Sequence, residues 1–296
     1  MSTAWFAQKE RSTTFWLRVI IWIARHLGRG VARGLLYPIT GYFVVSSPAT
    51  RKASRDFLQR VLDRPPGWKD VFRHHHCFAS VILDRVFLLT GRESLLDIQV
   101  HGYEMALEQL AKGKGAILLG SHLGSFEALR VLGMYDAQLS LKVLMIVEHN
   151  QMITRMLNLL NPEVARSVIP VGQPDTFLRV KEALDKGEIV GMLGDRVVDK
   201  EKQLRCDFLG EPAGFPMGPM QLAVALKVPV IMFYGIYAGG NRYQVYFELL
   251  TPGFDGSREQ RQTAIQELVC RYATHLEAKA KMAPYNWFNF YDYWRD

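Results

Sequence analysis

The sequence has few cysteines, few acidic residues near its start and no long apolar run free of charge. Its 296 residues contain three cysteines, Cys77, Cys206 and Cys270, which are far apart and lack the spacing of metal ligands. This odd number and scatter argue against a disulfide framework and against a zinc site, and they favour a reducing compartment. The first residues are polar and the apolar stretch after them keeps its arginines, so we predict no cleavable signal peptide.

Acidic residues are scarce in the first sixty positions. That part has ten lysines and arginines against Glu10 and Asp56, a balance of +8, so the other 236 residues sum to −1 of the net +7. The basic character therefore belongs to an N-terminal arm. We predict no nucleic-acid binding, because the rest of the chain is nearly neutral and has no base-reading motif.

The arm contains an apolar stretch from Phe15 to Val45 that arginines interrupt. At about 100° per residue, these arginines fall on one helical face, and tryptophans lie among the apolar residues around them. A membrane-spanning helix does not carry arginines through its middle, so the pattern favours an amphipathic helix lying on anionic lipid. A shallow or re-entrant anchor and a basic helix docked on the protein's own core are the alternatives. The residues assigned to the membrane surface are Arg18, Arg25, Arg29, Arg33, Trp16 and Trp22.

The rest of the chain, residues 51–296, is predicted to form a single α/β domain behind a membrane-associating segment, residues 1–50. Residues 51–92 have a helical pattern, and from His101 short apolar runs alternate with helical segments. This alternation predicts a mostly parallel sheet flanked by helices, with an antiparallel hairpin at one edge formed by residues 230–237 and 243–250. The run His74-His75-His76 is not predicted to bind metal, because adjacent helical residues point about 100° apart.

The stretch GAILLGSHLGSFEALR, residues 115–130, is the most informative part of the sequence. Ala116 to Leu119 reads as a buried strand, and a Gly/Ser turn and a helix follow it. His122 then lies at the carboxyl end of a strand, where open α/β sheets bind ligands. From the first turn of the helix, the Glu127 carboxylate is predicted to reach one imidazole nitrogen, which leaves the other nitrogen free to accept a proton. A capping pair or two surface residues is the alternative reading.

The turn offers a base without a nucleophile, because neither Ser121 nor Ser125 lies in a Gly-x-Ser-x-Gly elbow. Such a base suits a reaction in which the substrate supplies the hydroxyl. Direct acyl transfer from a thioester to an alcohol is a reaction of this kind.

Three blocks in the same order resemble the bacterial lipid A biosynthesis acyltransferase family, the His-x4-Glu branch of the glycerolipid acyltransferases. They are GSHLGSFE, KGEIVGMLGDR and DFLGEPAGFPMGPMQLA, and the resemblance extends to about Val230. It implies a glycerolipid-acyltransferase-like fold, catalysis by His122 and Glu127, and an active-site arginine, for which Arg166 is the candidate. It also implies acyl carrier protein as the acyl donor, with coenzyme A as the alternative, and neither a metal nor a bound cofactor.

Further residues are candidates for supporting roles. Asp195 and Arg196 follow a predicted strand and are expected at the same edge of the sheet as His122. Asp195 is predicted to hydrogen-bond the turn that holds His122, and Arg196 to bind a phosphate or the thioester oxygen. The alternative is a buried ion pair between Asp195 and Arg196. The Gly/Pro-rich residues 211–219 are predicted to be a loop that lines or covers an acyl channel, or else a tight core connection. The residues assigned to this channel are Phe215, Met217 and Phe126.

The C-terminal segment, residues 285–294, contains seven aromatic residues among ten. Tryptophan and tyrosine favour a membrane interface, and a core-packed tail is the equal alternative. The segment lacks the basic residues that end related lipid A enzymes, which leaves the acceptor open.

We therefore predict an enzyme at the cytoplasmic face of a bacterial inner membrane. It transfers a fatty acyl group from an acyl-carrier-protein or coenzyme A thioester to a hydroxyl of a membrane lipid similar to a lipid A precursor. The alternatives are a related acyltransferase for a lysophospholipid, an amino-acid lipid or a polyene lipid, and a lipid-binding protein without catalysis.

Overall fold

The computed structural model describes residues 22–23, 26, 28–131, 140–146, 157–197 and 201–294. Three residues assigned to the membrane surface, Trp16, Arg18 and Arg25, lie outside these ranges. Among the described residues, no helix combines the length and apolar character needed to cross a membrane.

Seven of the described strands form one mixed sheet. They are β1 (Asp97–His101), β2 (Ala116–Gly120), β3 (Leu141–Met145), β4 (Val168–Pro170), β5 (Ile189–Leu193), β8 (Val230–Gly239) and β9 (Arg242–Thr251). Their order across the sheet is β1-β9-β8-β2-β5-β3-β4. The five strands from β8 to β4 are parallel, β9 is antiparallel to β8, and β1 is parallel to β9. The central strand β2 is buried along its whole length, which explains its continuous apolar run.

The prediction of a mostly parallel sheet with an antiparallel hairpin is confirmed, with one correction. The hairpin of β8 and β9 is not at the edge, because β1 pairs with the outer side of β9. Helices flank the sheet. They are α1 (Gly28–Ser46), α2 (Pro48–Val61), α3 (Trp68–Leu89), α4 (Tyr103–Leu110), α5 (Pro162–Arg166), α6 (Thr176–Asp185), α7 (Gly218–Leu226) and α8 (Arg261–Met282).

Helix α1 packs on α3 through an ion pair, which corrects the prediction for two of its arginines. The Arg29 guanidinium donates two hydrogen bonds to Asp84, at 2.7 and 2.8 Å, and Arg33 donates to the Tyr237 hydroxyl. Asp84 is fully buried and also accepts from Tyr243. These arginines therefore face the protein rather than lipid, because a buried carboxylate requires partners of opposite charge.

The opposite face of α1 is apolar and exposed. At 100° per residue, four of the exposed apolar side chains fall within about 80° of one another, on the side of the helix away from Arg29 and Arg33. Exposed Tyr37 and Phe43 flank them. The four side chains are Val31, Leu35, Tyr42 and Val45, which we call the α1 apolar stripe.

A separate hairpin, β6 (Gln203–Phe208) and β7 (Glu211–Pro216), replaces the loop that we predicted over residues 211–219. Cys206 of this hairpin forms a disulfide with Cys270 of α8, so the prediction of unpaired cysteines is wrong for these two, and the cysteines no longer favour a reducing compartment. Cys77 is free and buried. The pairing was not predictable from spacing, because 64 residues separate the two positions.

The C-terminal segment is packed into the core, as one of the two alternatives predicts. Trp287 is fully buried between Phe57 of α2 and Phe208 of β6, and Tyr293 packs against both Phe208 and Trp287. The segment also pairs with the turn after β2, because Phe288 N donates to the His122 carbonyl. It therefore lies directly beneath the predicted site.

Candidate active site

Two neighbouring parallel strands deliver the candidate catalytic residues to one place. Gly120 pairs in register with Leu193 at the carboxyl ends of β2 and β5. His122 and Asp195 each lie two residues beyond this pair, so the register brings them side by side. The prediction that Asp195 lies at the edge of His122 and hydrogen-bonds its turn is confirmed, since His122 N donates to Asp195 Oδ2 at 3.0 Å.

Glycine is required in the turn that holds His122. Gly124 has a φ of +79°, and a Cβ at this position would lie 2.1 Å from the Gly235 carbonyl oxygen of β8. The close approach lets Ser125 N donate to that carbonyl. The turn is thereby fixed against β8, and only glycine fits there.

Asp195, and not Glu127, orients the His122 imidazole. His122 Nδ1 lies 2.8 Å from Asp195 Oδ1, so Nδ1 carries the proton and donates it to the carboxylate. Among the described residues, none hydrogen-bonds to Nε2, which is left as the proton acceptor. The predicted contact between Glu127 and an imidazole nitrogen is therefore wrong, because the strand register puts a closer carboxylate on Nδ1.

Asp195 is held as a fully buried carboxylate with several donors. Besides His122, the indole Nε1–H of Trp287 and the amide of Asn289 donate to Oδ2, at 3.1 and 3.0 Å. Burial raises the pKa of Asp195, but His122 and Arg196 outweigh it and lower that pKa to about 2. Asp195 is therefore ionised at neutral pH, which keeps the proton of His122 on Nδ1.

The environment also keeps the imidazole neutral. Burial lowers the pKa of His122 below the usual 6.5, the positive charges of Arg196 and Arg85 lower it further, and Asp195 opposes them. A quarter of the His122 side chain is exposed, so Nε2 is open to a substrate. A neutral, oriented and accessible imidazole is what a general base requires at pH 7.

Glu127 instead forms an ion pair with Arg85 of α3. Arg85 Nε lies 2.8 Å from Glu127 Oε1, and both side chains are nearly buried. The other carboxylate oxygen, Oε2, and the Ser125 hydroxyl are buried without a hydrogen-bond partner in the described part of the chain. Ser125 lies in the turn that holds His122, and Glu127 lies in the short helix that follows it.

Arg196 is bound by the C-terminal segment. Its Nε donates to Asn289 Oδ1 at 2.7 Å, and one Nη donates to the Phe288 carbonyl at 3.1 Å. These bonds place its charge beside His122. A role for Arg196 at a phosphate or an oxyanion remains a prediction.

The structure separates Arg166 from the site. Arg166 is exposed at the end of α5 and precedes β4, so it lies at the amino-terminal edge of the parallel strands. His122 follows β2 at the carboxyl edge, several strands away. Its assignment as an active-site arginine is therefore wrong in this fold.

The three residues assigned to an acyl channel have different positions. Phe215 is fully buried against Tyr272 and Tyr293, and Met217 is nearly as buried, so neither forms a lid. Phe126 is half-buried beside the catalytic turn. Its ring fills the space above Gly191, where a Cβ would lie 3.0 Å from Cζ. Phe126 therefore stays a candidate for contact with an acyl chain.

Sequence reasoning did not find Arg85, Trp287 or Asn289. They lie on a different helix and on a distant segment, and no motif marks them. The dense aromatic segment was the available signal for Trp287, although it does not indicate which strand end the segment contacts.

A family model adds an independent observation to this geometry. The model for the bacterial lipid A biosynthesis acyltransferases matches residues 5–296. The chain belongs to this family. It is therefore a lipid acyltransferase, and the resemblance noted in three sequence blocks extends over nearly the whole chain.

Two curated relatives of this acyltransferase are phosphatidylinositol mannoside acyltransferases of Mycobacterium tuberculosis, from strains H37Rv and CDC 1551. Each is 24% identical to this chain over 96% of its length and 89% of the relative's own length. The similarity therefore covers the strand ends that carry His122 and Asp195.

Proposed function

We propose that this acyltransferase moves a fatty acyl group from an acyl-carrier-protein or coenzyme A thioester to a hydroxyl of a membrane lipid. The observation that carries the proposal is the His122–Asp195 pair, with Nδ1 held by the carboxylate and Nε2 open. Since no serine among the described residues hydrogen-bonds to this base, the attacking oxygen comes from the substrate.

In the proposed reaction the lipid hydroxyl oxygen attacks the thioester carbonyl while its proton moves to His122 Nε2. The tetrahedral intermediate then collapses, the carbon–sulfur bond breaks, and the thiolate takes the proton from the imidazolium. The products are an ester and a free thiol. Asp195 favours the first proton transfer, because its negative charge stabilises the imidazolium that forms between the two steps.

Two cations support charge development at this place. Arg85 and Arg196 both lie close enough to lower the pKa of His122. Positive charge in a partly desolvated site stabilises an oxyanion more strongly than it does in water. We assign the stabilisation of the tetrahedral oxyanion to these two arginines, with Glu127 holding Arg85 in place.

The acceptor class rests on the family and on the relatives. A lipid similar to a lipid A precursor follows from the family description, and a mannosylated phosphatidylinositol from the relatives' printed name. Both are glycolipids with an acylatable hydroxyl, so we propose a glycosylated membrane lipid as acceptor. We propose acyl carrier protein as the donor, since the basic N-terminal arm favours an acidic partner.

We propose that the enzyme works at the cytoplasmic face of a bacterial inner membrane and contacts it through the α1 apolar stripe. The stripe exposes four apolar or aromatic side chains in a row, with Tyr42 and Val45 about two-thirds exposed. Exposed Trp22 precedes it on the chain. A row of this kind suits the lipid interface, where aromatic rings and aliphatic side chains both bind favourably.

The experiment that tests the function is thiol release by the full chain in detergent. Acyl-carrier-protein and coenzyme A thioesters are supplied with an extract of bacterial lipids, and mass spectrometry identifies any lipid that gains an acyl mass. We expect lipid-dependent turnover that His122→Ala lowers by about 10²- to 10⁴-fold. Lipid binding without thioester consumption by either donor contradicts the proposal and indicates a binding protein.

A further inference from the structure

We propose that Asn289 is a positioning residue that fixes Asp195 and Arg196 relative to His122. The inference rests on the proposed role of His122 as the general base. It gives the C-terminal segment a function in the active site, in addition to the packing of its aromatic residues in the core.

The Asn289 side chain bridges two opposite charges. It is 1% exposed, its Nδ2–H donates to Asp195 Oδ2 at 3.0 Å, and its Oδ1 accepts from Arg196 Nε at 2.7 Å. A carboxamide has a donor on one side and an acceptor on the other, so it satisfies a carboxylate and a guanidinium at once. Neither a leucine nor an aspartate in this position serves both partners.

The bridge is rigid because the segment around it is bonded to both strand ends. Phe288 N donates to the His122 carbonyl at 2.7 Å, beyond β2. The Tyr293 hydroxyl donates to the Asp195 carbonyl at 2.8 Å, beyond β5. Trp287 Nε1–H adds a second side-chain donor to Asp195. The C-terminal segment therefore fixes the distance between the base and its carboxylate, and Asn289 sets the charge balance between Asp195 and Arg196.

This arrangement has an electrostatic consequence for His122. In Asn289→Asp, a second carboxylate faces Asp195 and Arg196. The added negative charge stabilises the imidazolium, so the pKa of His122 rises. The groups that face this imidazole from the packed elements are Asp195 and Arg196 after β5, Arg85 of α3 and Glu127 paired with it.

Asn286 is the matched control. It is the same residue type in the same segment, it is also buried, and its side chain bonds Tyr237 N and O at 2.9 and 3.2 Å. Asn286→Asp therefore disturbs the packing of the segment to a similar degree. The Asn286 side chain bonds the β8 backbone and not Asp195. A purely structural effect should therefore appear in both variants, whereas an effect on the active site should appear only in Asn289→Asp.

The test is a nuclear magnetic resonance titration of histidine ring protons in the full chain in detergent, with the His122 signal assigned by His122→Gln. We expect Asn289→Asp to raise the pKa of His122 by about one unit and Asn286→Asp to leave it unchanged. Trp287→Phe removes one hydrogen-bond donor from Asp195 and keeps an aromatic ring, so it should raise the pKa of His122 by less than Asn289→Asp does. It provides the test if Asn289→Asp does not fold. An unchanged pKa of His122 in both site variants overturns the proposal.

The titration separates this inference from the proposed function, because it needs no turnover. In the thiol-release assay at neutral pH, we also expect Asn289→Asp to lower kcat by about 10- to 100-fold with little change in KM. A shifted pKa of His122 in a protein without turnover supports the positioning role and removes the acyl-transfer proposal. An active enzyme in which the variants leave the pKa of His122 unchanged supports acyl transfer and removes the positioning role of Asn289.

Discussion

His74 is a buried histidine that connects α3 to the segment beneath the active site. Its Nε2–H donates to the Trp287 carbonyl at 2.8 Å, and its Nδ1 therefore accepts from the Ser54 hydroxyl at 2.9 Å. Burial lowers the pKa of His74 to about 3. The ring is thus neutral in the folded protein at pH values where the unfolded chain already binds a proton.

This difference predicts a pH-dependent stability. The unfolded chain takes up the proton near pH 6.5 and the folded protein only near pH 3. The free energy of unfolding therefore falls as pH drops between these values, by about 1.4 kcal/mol per unit from this residue. Urea unfolding at several pH values measures the slope. His74→Gln keeps a donor and an acceptor without a titrating ring, so its slope should be smaller; an equal slope in both proteins contradicts the assignment.

At the scale of elements, one buried carboxylate contributes to the attachment of α1 beside the apolar contacts of Ala32 and Leu36. Asp84 is the shared partner of Arg29, Arg33 and Tyr243. Asp84→Asn leaves two partly buried guanidinium groups without their counter-charge, so we expect a loss of about 3–5 kcal/mol in the free energy of unfolding. Asp185→Asn is the control, because it breaks the exposed Lys181–Asp185 pair, and should cost under about 1 kcal/mol. Equal losses in urea unfolding would show that Asp84 does not anchor the helix.

The disulfide joins the β6–β7 hairpin to α8 and can be checked by counting thiols. Protein purified without reductant and denatured should react with a thiol reagent at Cys77 alone, and at all three cysteines after reduction. Reduction should also lower the free energy of unfolding by about 2–4 kcal/mol, because it releases a closed loop. Mass spectrometry reads the labels. Three labels before reduction would contradict the pairing.

At the scale of the whole molecule, the proposed membrane contact is the α1 apolar stripe. The double change Val31→Asp and Tyr42→Asp places two charges on it, and we expect binding to vesicles of anionic phospholipid to fall about tenfold or more. Phe177→Asp with Leu178→Asp is the control, since both side chains are about half exposed on α6. Vesicle sedimentation measures the bound fraction. Equal losses from the two pairs would contradict a specific face.

Much of the fold could be predicted because its centre consists of short buried strands with glycine at their ends. The strand ends after β2 and β5 also led to His122 and Asp195. The prediction that Arg29 and Arg33 of α1 face lipid was wrong, because the partner of Arg29 is a single aspartate 55 residues away in the sequence. The disulfide was missed for a similar reason.

The choice between Glu127 and Asp195 shows where sequence spacing is insufficient. Glu127 is near His122 along the chain, whereas Asp195 is near it through strand register, 73 residues later. The register depends on which strands are neighbours, which no local pattern specifies. Trp287 and Asn289 were beyond prediction for the same reason.

The most direct test of the account compares Asp195→Asn with Glu127→Gln in single-turnover thiol release. Asparagine cannot hold the proton on Nδ1 or stabilise the imidazolium, so Asp195→Asn should lower the rate by about 10²- to 10⁴-fold. Glu127→Gln removes only the partner of Arg85 and should lower the rate by about tenfold or less. If Glu127→Gln costs as much as Asp195→Asn, or if Asp195→Asn keeps most of the rate, Asp195 is not the residue that orients the base.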